Sequence, residues 1–398
     1  MKITAVETLR PAFQPNVLLL RLHTSDGLVG LGESFYGAGA VEAYLHESVA
    51  PVLVGLADAA PERVATLLTP YVGYQGGGVE TRAKGAVDLA LWDLLGKRTG
   101  RPVAELLGGP VRDDVAVYNT CAGPGYVSTS SRQESANWGR GQGDRFEDLE
   151  AFLTRPGALA RELLDEGLRG MKVWPFDQAA ERSGGTDIAA ADLDQGVRVV
   201  AEIREVVGLE MDLMVELHAL WSRRAAEKIC AALTPYRPFW VEDPVRADNV
   251  DALARLAADV AVPIATGETC TGRRGFLPLL REGAVNVVTV DVQWTGGLTE
   301  ARKVATLADA FGVPVAPHDC TGPVSLAACL HLVMSQPNGL VQETVRAFLR
   351  TWYGEVATGL PPVTDGRIRL SDAPGLGVEL QPGLAARPDV VRRVSGTA

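Results

Sequence analysis

Six short apolar runs, each ending in an acid or a histidine, recur roughly every 25 residues between positions 211 and 343. Met211-Asp212-Leu213-Met214-Val215 ends in Glu216-Leu217-His218, Phe239-Trp240-Val241 in Glu242, and Ile264-Ala265-Thr266 in Gly267-Glu268. Val288-Thr289-Val290 ends in Asp291, Val315-Ala316-Pro317 in His318, and Leu340-Val341-Gln342 in Glu343. Segments of helical spacing lie between them, at 248–258, 298–311 and 324–334. Short apolar strands alternating with helices indicate successive βα units and a parallel sheet. Many such units in a row favour a closed barrel, whose active site sits at the carboxyl ends of its strands. The ionisable strand ends would all point to that one mouth. Residues i and i+2 of a strand share a side, so Glu216 and His218 are expected on one face.

The rest of the chain is read against this barrel. Its 398 residues suggest about two domains. With 46% hydrophobic and 22% charged residues the composition is that of a globular protein with a large core. A net charge of −11 argues against a surface for nucleic acid. The amino-terminal residues show no signal-peptide core and no apolar run approaches a membrane span, so a cytoplasmic protein without a membrane partner is expected. The five cysteines, at 121, 230, 270, 320 and 329, lack Cys-x-x-Cys spacing and read as reduced thiols.

Residues 1–114 do not follow the strand–helix rhythm. Segments 3–8, 16–24 and 28–34 read as antiparallel strands, with a Ser25-Asp26-Gly27 turn between the last two, and helices are expected at 41–53, 61–68 and 81–98. The last of these repeats apolar residues at helical spacing and should pack on the barrel. The glycine-rich 71–78 stretch lacks the preceding strand and the Lys-Ser/Thr ending of a phosphate cradle. The barrel is expected over 115–354, beginning at Val115. A long polar stretch, 122–145, follows its first strand and should overhang the mouth as a lid. The second strand, 170–175, puts Lys172 and Trp174 on one face. A carboxy-terminal segment, 355–398, is expected to return to the first domain through its Pro- and Gly-rich 360–380 region.

Glu216, Glu242 and Glu268 end three consecutive strands. Carboxylates crowded there without a counter-ion raise one another's pKa and destabilise the fold. A hard divalent cation resolves the conflict, and oxygen-only ligation favours Mg2+, with Mn2+ as a substitute. Any one of them alone is more often a salt-bridge or surface residue, and a glutamine at 242, if exposed, would cost the fold within about 0.5 kcal/mol. Asp291 beside His318 is the arrangement a general base needs. Lys172 has an inward position that favours a site role over a structural salt bridge. Glu343 either hydrogen-bonds a substrate oxygen or closes a polar network.

The chain resembles the enolase superfamily in its mandelate racemase-like branch. The resemblance rests on Gly30-Leu31-Gly32-Glu33, on Ala90-Leu91-Trp92-Asp93-Leu94-Leu95-Gly96-Lys97 and on Glu105-Leu106-Leu107-Gly108-Gly109. In the barrel it rests on Val241-Glu242-Asp243-Pro244, Gly267-Glu268, Gly296-Gly297-Leu298-Thr299-Glu300 and Ala316-Pro317-His318. It implies a modified TIM barrel, (β/α)7β, under an α+β cap built from both chain ends. It also implies Mg2+ held by the acids at 216, 242 and 268, a small carboxylate substrate, abstraction of its α-proton, and a homo-oligomer. Racemases of this branch carry Lys-x-Lys on the second strand, whereas this chain has Lys172-Val173-Trp174, and Trp174 cannot remove a proton. The Glu-x-His pair at 216 and 218 resembles instead the acid-sugar dehydratases similar to galactonate dehydratase, in which such a histidine protonates the departing β-hydroxyl. The resemblance thus implies a sugar-acid dehydratase with His318 as base and His218 as acid. An epimerase or a cycloisomerase of a cyclic sugar acid is the alternative, and a non-catalytic binding protein the contrasting class. Choice of substrate is expected to lie in 11–15, 71–78 and 122–145.

Overall fold

The computed structural model describes residues 2–69, 77–132, 134–141 and 145–397. Three antiparallel strands open the chain, Ile3–Pro11 (β1), Val17–Thr24 (β2) and Val29–Phe35 (β3). Gly27 turns between β2 and β3 at φ +83°, a conformation that costs glycine nothing. A fourth strand, Val390–Gly396, pairs antiparallel with β1 and completes the sheet. This strand lies beyond the 360–380 region. That strand is mostly exposed and carries Arg392 and Arg393, so as a charged edge strand it has little of the apolar alternation by which strands are read.

The long helix Val79–Thr99 ties the two parts together. A Cβ on Gly32 would meet the Ala86 carbonyl oxygen at 1.9 Å, and one on Gly30 the Ala90 oxygen at 2.2 Å. Only glycine lets strand β3 lie this close to the helix. On its barrel side, Asp88 accepts from the backbone N–H and the hydroxyl of Thr299 at 2.9 and 2.5 Å, and the Trp92 indole donates to that hydroxyl at 2.9 Å. Asp93 accepts from the Leu31 and Leu376 amides, each at 2.8 Å. Glu33, at the end of the Gly-Leu-Gly-Glu motif, accepts from the Gln293 side chain at 2.9 Å and the Val324 amide at 3.0 Å. Gly32→Ala should force helix and strand apart and cost roughly 2–3 kcal/mol. Urea denaturation measures this, and an unchanged midpoint would mean the contact is not needed.

Parallel strands Val115–Thr120, Gly170–Val173, Asp212–Glu216, Trp240–Glu242, Ile264–Thr266 and Val287–Val288 follow in order round the barrel. The seventh position is held by the bridges Val288 to Val315 and Asp291 to His318. The eighth strand, Gln342–Thr344, pairs parallel with the first and closes the ring. Helices lie between successive strands, as the alternating pattern predicts. Tyr118, Met214, Trp240, Ala265, Val287, Ala316 and Val341 fill the interior away from the mouth, with the Tyr118 and Trp240 rings 5.5 Å apart.

The 122–145 stretch is tied down where it is described. Tyr126, Val127 and Trp138 are buried, and Asn16 Nδ2 donates to the carbonyls of Val127 and Ser130 at 2.6 and 2.8 Å. Most of 71–78 lies outside the described residues; Gly78, at φ +113°, leads into the long helix. All five cysteines are free thiols. Among the described residues no helix is long and apolar enough to cross a membrane.

Candidate active site

Every strand-end residue singled out from the sequence reaches the mouth of the barrel. Glu216, Glu242 and Glu268 each place a carboxylate oxygen so that all three lie within 4.8 Å of one another. Lys172 stands behind them, buried, with Nζ 2.9 Å from Glu242 Oε1, 3.0 Å from Glu343 Oε1 and 3.4 Å from Glu216 Oε2. Burial works against its charge, but Glu242 and Glu343 hold the ammonium well above its ordinary range. A lysine held among three carboxylates in this way is their counter-charge.

The acids remain in surplus over this one cation. Burial raises the Glu242 carboxyl well above the usual range, Lys172 opposes the rise, and Glu216 and Glu343 add to it. Glu268 is raised too, by burial that His318 only partly offsets. Burial would likewise raise Glu343, yet Lys172, His318 and the Thr120 hydroxyl bring it down to about 2. Glu216 Oε1 accepts the Leu217 and His218 amides at 3.0 and 2.7 Å, while its buried Oε2 accepts no hydrogen bond. Three convergent carboxylates fit a hard divalent cation.

Two histidines flank the cluster, each with its own aspartate. His318 Nδ1 lies 2.9 Å from Asp291 Oδ2, and its Nε2 is 3.3 Å from Glu268 Oε2. Asp291 is held in place because its Oδ1 accepts the Gln293 and Trp294 amides at 2.7 and 2.8 Å. Burial disfavours the charged His318 ring, but Glu268 and Glu343 raise it well above the ordinary range. A base must be free of its proton, so the acidic charge beside it has to be balanced. The three-glutamate donor set does this when it holds a dication.

His218 Nδ1 lies 2.7 Å from Asp177 Oδ2. Burial would lower that imidazole, yet Asp177 and Glu216 bring it up to about 10. The strand ends at Glu216, and His218 and Ala219 follow at φ 48° and 56°. Glu216 and His218 thus meet through a sharp turn beyond the strand end, where strand alternation no longer applies. In a closed ring of eight strands the third and seventh are half a circuit apart, so His218 and His318 face each other across the mouth.

Asp177 was not singled out from the sequence, where it is one acid in an irregular run. Its position directly after Trp174-Pro175-Phe176, at the end of a barrel strand, is the signal that was available. Above the acids is a cavity of about 240 Å3, lined on the cap side by Tyr36 and Arg82 and on the barrel side by Tyr126, Trp174 and Trp294. Trp174 packs tilted against Tyr126 at 5.5 Å and edge-to-face against His218 at 5.8 Å, and so serves as a wall.

A capped barrel with acids on three consecutive strand ends defines the enolase superfamily, and comparison with known proteins agrees. Residues 3–108 match the mandelate racemase / muconate lactonizing enzyme N-terminal domain, and residues 156–384 the enolase C-terminal domain-like family. The chain belongs to the mandelate racemase-like branch of the enolase superfamily. It is 33% identical to a D-galactonate dehydratase of Xanthomonas euvesicatoria, over 97% of this chain and 94% of that one. It is 42% identical, with a TM-score of 0.88, to an enolase of the mandelate racemase subgroup from Agrobacterium tumefaciens, covering 100% of this chain and 99% of the other. An enolase protein from the Sargasso Sea environmental genome is 39% identical, with the same TM-score and coverage.

Proposed function

We propose that the protein is a Mg2+-dependent sugar-acid dehydratase that removes the proton α to the carboxylate, expels the β-hydroxyl and yields a 2-keto-3-deoxy acid. The observation that carries this reading is the pair of opposed Asp–His couples, Asp291–His318 and Asp177–His218, on either side of the three-glutamate cluster. The names of the galactonate dehydratases it resembles support it. Glu216, Glu242 and Glu268 would hold the ion, which supplies Lewis-acid charge to the substrate carboxylate as negative charge builds on it. His318 takes the α-proton at Nε2 while Asp291 holds Nδ1 and steadies the resulting imidazolium. His218, oriented by Asp177, gives its proton to the departing hydroxyl. Lys172 and Glu343 keep the cluster's charge and geometry fixed beneath the substrate, and Tyr126 and Trp174 help keep water from the reacting carbon.

Incubation with Mg2+ and a panel of aldonic, aldaric, uronic and anhydro-sugar acids should give a 2-keto acid detectable as its semicarbazone. Chelation should abolish it and Mg2+ restore it. Opposed histidines also suit removal of a proton from one face and its return to the other, so epimerisation is the second reading. Solvent deuterium incorporated with inversion and without keto product would establish that reading and sink the dehydratase.

A further inference from the structure

Arg82 is a charged residue of the cavity lining for which the chemistry above has no use. It stands in the first turn of the helix Val79–Thr99 and faces the same cavity as Lys172, His218 and His318. Its guanidinium carbon lies 5.3 Å over the Trp294 ring, and that ring is 5.1 Å from the His318 ring. Its Nε is buried and makes no hydrogen bond, and among the described residues no carboxylate forms an ion pair with it. Asp291, which attracts it from a distance, already has Oδ1 occupied by two backbone amides and Oδ2 by His318. Other partly buried arginines have their forks filled. Arg346 pairs with Asp148, Glu162 and Glu166, and Arg112 donates to the carbonyls of Val333, Gln336, Pro337 and Gly339.

A partly buried cation whose buried Nε finds no acceptor is costly, and here the space in front of it belongs to the substrate. The reacting carboxylate goes to the glutamate cluster and the α-carbon to His318. Arg82 lies beyond the base, one ring stack further toward the cap, where the far end of a chain-like substrate would arrive. An extended six-carbon diacid holds its second carboxylate carbon about 6 Å from the first, and the Trp294 ring lies between the base and the guanidinium, 5.1 Å from the His318 ring and 5.3 Å from the guanidinium carbon. The planar fork of arginine suits a carboxylate, which it binds through two parallel N–H groups. We propose that Arg82 binds a second carboxylate at the distal end of the substrate, so that the favoured sugar acid is a diacid (an aldarate) in preference to the matching aldonate. This rests on the dehydratase reading for the placement of the reacting end.

The test compares wild type, Arg82→Lys and Arg82→Met with Mg2+ on six-carbon aldaric acids, the matching aldonic acids and their 6-phosphates. Methionine keeps an apolar stem against Trp294 and removes only the charge and the fork. A charge-assisted pair of this kind corresponds to roughly 10–100-fold in kcat/KM. Wild type should favour diacids by about that factor, Arg82→Met should bring the diacid-to-monoacid ratio close to one, mainly through KM, and Arg82→Lys should recover part of it. A ratio that Arg82→Met leaves unchanged would overturn the assignment, and so would a preference for the 6-phosphates. If no acid is dehydrated, the dehydratase reading fails, and calorimetric titration with adipate against hexanoate in Mg2+ still tests Arg82. Tighter binding of adipate that Arg82→Met abolishes supports the subsite; equal affinities exclude it.

Discussion

His318→Asn should abolish both exchange of the substrate α-proton with deuterium and formation of the keto product, whereas His218→Asn should lose elimination and keep exchange. The structure makes both substitutions fair tests. Asp291 stays in place without the imidazole because the Gln293 and Trp294 amides hold its other oxygen. Glu216 is fastened by the backbone N–H of residue 218, which any residue there supplies. Position 218 adopts a positive φ, which asparagine tolerates better than most residues. A general acid or base contributes about 10²–10⁴-fold in rate, so either loss is easily measured. Exchange in His218→Asn appears to the extent that the carbanionic species returns to substrate before hydroxide leaves, so the elimination rate is the decisive reading. Elimination at the wild-type rate in His218→Asn would remove His218 as the acid. The link between the Glu-x-His pair and dehydration would go with it.

How much of this was legible in the sequence depends on where each residue lies relative to a strand. Glu216, Glu242, Glu268, Asp291, His318 and Glu343 could be found because each interrupts an apolar run at its carboxyl end, and barrel topology turns that position into a place at the mouth. Asp177 follows a strand too, but at one remove. Its partner His218 is 41 positions away, and no periodicity relates the first residue of a short helix to the next strand's histidine. Arg82 looks like any solvated residue in the first turn of a helix until the fold stands that helix over Trp294. The glycines of Gly-Leu-Gly-Glu were legible as a family motif, yet the close approach of a helix that they permit was not. The strand Val390–Gly396 escaped notice for the opposite reason, since its exposed, arginine-rich face resembles a loop.

The metal assignment stands or falls on Glu242→Gln, expected to weaken Mn2+ binding by at least about 100-fold, given that even outer partners of metal ligands are worth 10–100-fold. Turnover in Mg2+ should fall with it. The structure changes the expected cost to the fold, because Glu242 is fully buried where the sequence reading allowed for an exposed glutamine. It accepts from Lys172 at 2.9 Å and from the Trp240 indole at 2.8 Å. The amide oxygen of glutamine can keep one of these bonds, and Lys172 retains Glu343 and Glu216. A loss of about 1–3 kcal/mol is therefore expected in place of the smaller surface value. A domain of this size tolerates that, so far-UV circular dichroism should be unchanged while the free Mn2+ signal in electron paramagnetic resonance shows no uptake. Binding must be measured apart from activity because Glu242 also holds Lys172, and a displaced lysine alone would slow turnover without disturbing the ion. Wild-type turnover that persists after exhaustive chelation would sink the metal assignment, and Mn2+ bound by Glu242→Gln with undiminished affinity would place the ion elsewhere.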